Sequence, residues 1–105
     1  MPTKPPKTYL EMKKRHAKFI EAVEALGQAA KQAGPIDEKT AQFVQLAAAA
    51  AVRSEGAVHS HVRRAREAGA TPEEIRHALI LLASTIGFPT VMAALTWAGD
   101  VLQKR

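Results

Sequence analysis

The sequence predicts an all-α fold, a single-domain bundle of five to six helices that assembles into an oligomer. Three observations carry this. Apolar residues recur at steps of three and four along most of the chain. No segment alternates apolar and polar side chains as a half-buried strand does, and no hairpin turn signal appears. The last two helical segments are apolar on more than one side, and a chain of 105 residues cannot cover both alone. A second subunit is the cover most readily available.

The elements follow in order. Pro2, Pro5 and Pro6 make residues 1–7 an extended or disordered basic arm, and the domain proper spans 8–105. Leu10, Met12, His16, Phe19, Ile20, Val23, Leu26 and Ala30 then mark one long helix, with His16 partly buried on its stripe, that ends at Gly34-Pro35. Asp37 is a suitable N-cap for a helix reaching Val52 or Arg53, and the alanines 47–51 let that helix lie close against its neighbours. Serine and glycine at 54–56 predict an irregularity. A further helix spans about Ala57 to Ala68, with Gly69 just past its end. Thr71-Pro72-Glu73-Glu74 is a capping box with proline at the first helical position, and the helix it opens reaches Ile86. Gly87-Phe88-Pro89 ends that helix and starts the last. Phe88 and Trp97 read as core or interface anchors, and His77 as structural or interfacial.

Charge and composition narrow the function. The net charge is +5, but residues 1–18 hold six basic side chains against one acid, while the remaining body is balanced. A basic end on a neutral body is a solvated terminus rather than a nucleic-acid surface, and neither zinc-ligand spacing nor an aromatic stacking platform accompanies it. No apolar run approaches the ~20 residues that span a bilayer. The N-terminus does not resemble a signal peptide. The expected location is the cytoplasm, with which the absence of cysteine agrees. That absence also removes every thiol nucleophile and thiolate ligand.

The run Ser54-Glu55-Gly56-Ala57-Val58-His59-Ser60-His61 carries the chemistry. On a helix, Ser54, Ala57, Val58, His61, Ala65 and Ala68 share one side, and Ser60, Arg63, Arg64 and Glu67 the other. His61 is thus the one titratable group on a small apolar face. An imidazole can act as general base or acid near neutral pH. Its other reading is a hydrogen-bonded core histidine.

Taken in order, Ile36-Asp37-Glu38-Lys39-Thr40, the alanine-rich helix, His61, Gly69-Ala70-Thr71-Pro72-Glu73-Glu74-Ile75 and Gly87-Phe88-Pro89 resemble the carboxymuconolactone decarboxylase and alkylhydroperoxidase D superfamily. The resemblance covers about residues 19–102. It implies an alkylhydroperoxidase D-like all-α subunit in trimers or hexamers, with sites lined by the helix bearing His61 near subunit contacts. The peroxidase branch has two cysteines whose positions fall here on Ser54 and Ala57, and a relay glutamate whose position falls on Gln42. Thiol-dependent peroxide reduction is therefore chemically closed to this chain. In the decarboxylase branch an acid often stands four residues before the histidine, again at Ala57.

Two functions follow. One is a lyase-like enzyme performing thiol-independent acid/base chemistry on a small anionic lactone or carbonyl compound. His61, Glu55 and His59 are its candidate catalytic residues, Ser54, Ala57 and Arg63 its substrate-binding ones, and Tyr9 is a possible helper from this or an adjacent subunit. The other is a non-catalytic or ligand-binding member that keeps the assembly without the reactive groups. Glu55 and His59 also have the spacing of a surface pair. One helix does not aim Glu55, His59 and His61 at a single point, so no metal is expected, and no cofactor, nucleic-acid or membrane partner either.

Overall fold

The computed structural model of the chain describes residues 5–103. Its regular structure there is entirely helical: α1 (Lys7–Arg15), α2 (Ala17–Gln32), α3 (Glu38–Ala51), α4 (Glu55–Glu67), α5 (Pro72–Ile80), α6 (Ala83–Ile86) and α7 (Phe88–Leu102). Of the expected arm, residues 1–4 lie outside the described residues; Pro5 and Pro6 are non-helical and Lys7 already belongs to α1. The chain divides into two compact units between residues 37 and 38. Among the described residues, no helix is long and apolar enough to cross a membrane.

The N-terminal unit corrects one expectation. The long helix is broken at His16, whose φ of −133° and ψ of 59° leave the helical region. His16 is exposed there, not part of a buried stripe. Its N–H bonds to the Met12 carbonyl to close α1, and its own carbonyl accepts from the Ile20 N–H to open α2. The break lets α1 pack against α2, where Tyr9 donates to Glu24 and Lys13 lies 3.2 Å from the same carboxylate. Both partners hold the Glu24 carboxyl below its ordinary range, the Tyr9 bond most strongly. Gly27 does not interrupt α2.

The second unit, α3 to α7, holds the main core. Leu46, Ala49 and Ala50 of α3 meet Val58, Val62 and Ala65 of α4, with Ile75 and Leu79 of α5 and Ala94 and Ala98 of α7 completing the cluster. Five of these ten side chains are alanine, and small side chains at a contact permit close helix approach. Side chains such as Phe43, Leu82 and Trp97 pack partly buried around this centre.

The joints explain the helix order. After α3 the Ser54 N–H reaches the Ala49 carbonyl and the Arg53 N–H the Ala50 carbonyl, a Schellman end with Arg53 at φ 57°. Ser54 then caps α4, so the expected irregularity falls at residues 52–54 and Gly56 is helical. The end of α4 repeats this pattern through Ala70 to Ala65 and Gly69 to Arg66, with Gly69 at φ 99°. Thr71 and Glu74 form the complete capping box. The helix that this box opens divides: α5 stops at Ile80, Leu82 N–H turns back to Leu79, and a single turn, α6, follows. Ile80 and Leu81 are exposed at that division. These two divisions give more helices than the five or six expected. Phe88 is 66% exposed and so is not a core anchor within one chain. His77 is exposed in the last turn of α5.

Candidate active site

Helices α3 and α4 pack along their lengths and bring Gln42 beside His61. Among the described residues, Gln42 is the polar side chain that is completely buried. Its Oε1 stands 2.8 Å from His61 Nδ1, and its Nε2 donates to Glu38 Oε2 at 2.8 Å. The carboxylate can only accept, so it takes the amide NH2 group and leaves Oε1 facing the imidazole. Oε1 in turn can only accept, so Nδ1 carries a proton. In the neutral ring the basic lone pair then lies on Nε2. Glu38, Gln42 and His61 thereby form a directional chain from an exposed carboxylate, through a buried amide, to a half-buried imidazole.

Local sequence explains this arrangement. Glu38 and Gln42 are one turn apart on α3, a spacing that places them on the same face. His61 stands in the middle of α4 between Ala57 and Ala65, whose small side chains let α3 come near enough for a direct bond. One turn beyond Gln42, Gln45 keeps a buried Oε1 with no hydrogen-bond partner. A buried acceptor left unpaired costs about 1–3 kcal/mol.

Glu55, Ala57, His59 and Arg63 lie on the same helix as His61, and Ser54 stands at its start. Ser54 Oγ accepts the Ala57 N–H at 3.2 Å, so its oxygen serves as the cap of α4. Ala57 and Arg63 are partly exposed on that helix. His59 is directed to α7, where its Nε2 stands 2.9 Å from Asp100 Oδ2 and 3.9 Å from Glu55 Oε2. The structure thus joins Glu55 to His59 at the expected pair spacing, adds Asp100, and sets His61 with α3. Tyr9 bonds to Glu24 within the N-terminal unit.

Sequence reasoning placed Gln42 at the relay position but missed Glu38 and Asp100. The i, i+4 spacing of Glu38 and Gln42 was the available signal for the first. Asp100 is 41 residues from His59 and offered none.

The comparisons agree with this architecture. The profile of the Carboxymuconolactone decarboxylase family matches residues 17–100, and the chain belongs to that family. An uncharacterized protein of Haemophilus influenzae is 36% identical over 59 residues, covering 56% of this chain and 52% of the relative. The chain thus spans about half the length of that curated relative. The crystal structure of an apo carboxymuconolactone decarboxylase family protein from Legionella pneumophila superposes with a TM-score of 0.76 at 25% identity. That match covers 91% of this chain and 85% of the other.

Proposed function

We propose that this chain is a thiol-independent enzyme that moves a proton at a carbon beside a carbonyl or lactone group of a small, anionic substrate, with His61 as the base. The observation that carries the reading is the Glu38–Gln42–His61 chain, which fixes the imidazole in the tautomer with its lone pair on Nε2. Nε2 takes the proton from carbon, the electron pair moves onto the carbonyl oxygen, and the imidazolium returns the proton to the product. Throughout, Nδ1–H stays bonded to Gln42. The amide passes the influence of the Glu38 charge to the ring without itself accepting a proton. The complete lack of cysteine directs the chemistry away from peroxide reduction.

The same proposal includes a homo-oligomer, a trimer or hexamer. Its support is the apolar surface that one chain leaves open, including Phe19 and Leu26 on α2 and Phe88 and Met92 on α7. A second reading, a ligand-binding member without turnover, is favoured by one observation: the group beside His61 is a neutral amide, which stabilises an imidazolium less than a carboxylate would.

The two readings separate by experiment. Carboxylated lactones and 2-oxo acids are added in deuterated buffer while the His61 ring signals and substrate C–H signals are followed by NMR. The enzyme reading expects shifted ring signals and deuterium entering the substrate, both lost in His61→Gln. Shifted ring signals without exchange support the binding reading. Unmoved ring signals throughout overturn both.

A further inference from the structure

We propose that Glu55, His59 and Asp100 form a binding site for one divalent transition-metal ion of the zinc class, separate from the His61 chain. The three side chains come from two packed helices, Glu55 and His59 one turn apart on α4 and Asp100 across from them on α7. One ligand atom from each lies within 4.8 Å of the other two. An ion bound at ~2.0–2.2 Å by imidazole nitrogen and carboxylate oxygen holds its ligand atoms roughly 3–4 Å apart. The observed 2.9 Å from His59 Nε2 to Asp100 and 3.9 Å to Glu55 bracket that spacing. Side-chain rotation alone closes the remainder, because Glu55 and Asp100 are about half exposed.

Electrostatics favours a cation at the same point. Asp100 stands in the last turn of α7, at the negative end of the helix dipole. An acid is the wrong charge there, and that turn contains no basic residue. With a neutral imidazole the cluster carries two negative charges against none, so an ion relieves both the carboxylate repulsion and the mismatch with the dipole. His59 supplies the selectivity, since one imidazole nitrogen beside two carboxylates suits zinc-class ions better than magnesium or calcium. Three protein ligands leave at least one position for water. The competing occupant of the same space is a proton on His59, which makes an ion pair with both acids.

The test uses the full chain, stripped with chelator and titrated with zinc or cobalt chloride by calorimetry, with cobalt absorption as the second readout. The expected result is one ion per chain with a cobalt spectrum of low coordination number. His59→Gln and Asp100→Asn should each weaken binding at least ~10-fold, while His77→Gln leaves it unchanged. Glu55→Gln, at an exposed first-turn position, should give the same loss even if a change at His59 or Asp100 perturbs the α4–α7 contact. Absence of saturable binding, or binding that persists in His59→Gln, overturns the proposal. Broadening of the His59 ring signals by cobalt, with those of His61 less affected, keeps the ion site distinct from the proposed catalytic histidine.

Discussion

The amide oxygen of Gln42 lies 2.8 Å from Nδ1 of His61, so a wholly buried side chain on one helix sets the protonation pattern of a half-buried one on the next. Leucine at position 42 keeps most of the volume and removes both hydrogen bonds. Gln42→Leu is expected to cost about 1–3 kcal/mol, because the Nδ1–H loses its acceptor where water reaches it poorly. Urea unfolding measures that directly. If His61 is the base, turnover should fall further than stability explains, and the ring should populate both tautomers by nitrogen NMR. A variant with native tautomer populations would mean that Gln42 does not position the ring.

Glutamate at the same position makes the opposite change. A carboxylate within hydrogen-bond reach of an imidazole favours the charged ring. Gln42→Glu is therefore expected to move the titration of His61 to higher pH than in the unaltered chain, measured by ring proton shifts. It also places a second carboxylate next to Glu38, where the amide formerly donated. The variant should be less stable above the carboxylate range and recover as pH falls and one of the two acids takes a proton.

Local signals in the sequence were sufficient for the joints of the fold. The Thr71–Glu74 box, the positive-φ Gly69 and the Gly87–Pro89 boundary are contained in a few adjacent residues, and each occurs where its chemistry requires. The break at His16 was not legible in this way. An uninterrupted apolar period ran through it, and what accompanies the break is the packing of Tyr9 and Lys13 onto Glu24, a tertiary effect. The division at Leu81 likewise lacks any glycine or proline. For the candidate site, helical spacing identified His61 and the Glu55–His59 pair. The partners that give those residues meaning, Gln42 and Asp100, come from other helices, and single-helix periodicity does not report which helices meet.

The capping box makes acid stability testable. Glu74 accepts from the Thr71 N–H and pairs with Lys39 at 3.0 Å, and these hold its carboxyl below the ordinary range, the backbone bond foremost. A carboxyl whose folded value is lowered stabilises the fold above its unfolded value, and that contribution disappears as pH falls through the folded value. Glu74→Gln should therefore flatten the acid side of the stability curve, the difference from the unaltered chain vanishing only below the folded value of Glu74. Thr71→Ala removes the other half of the box at every pH, for a loss of about 1 kcal/mol. Thermal unfolding from pH 7 to pH 2.5 separates the two. Equal pH slopes in Glu74→Gln and the unaltered chain would show that the box contributes nothing to acid sensitivity.

The open apolar surface yields the last prediction. Phe19, Val23 and Leu26 recur at steps of four and three on α2, and all are exposed, with Leu26 at 70%. Side chains at that spacing form a continuous stripe, which in water carries a cost of ~25 cal/mol for each Å2 left uncovered. Burial of the stripe between subunits of the proposed trimer or hexamer relieves that cost. Val23→Glu places a charge in the middle of the stripe, on a helix of the N-terminal unit. Sedimentation equilibrium should then show a smaller species than the unaltered chain forms, with the helical circular dichroism of the body retained. If the unaltered chain itself sediments as a monomer at tens of micromolar, the stripe is tolerated in water and the proposed oligomer is wrong.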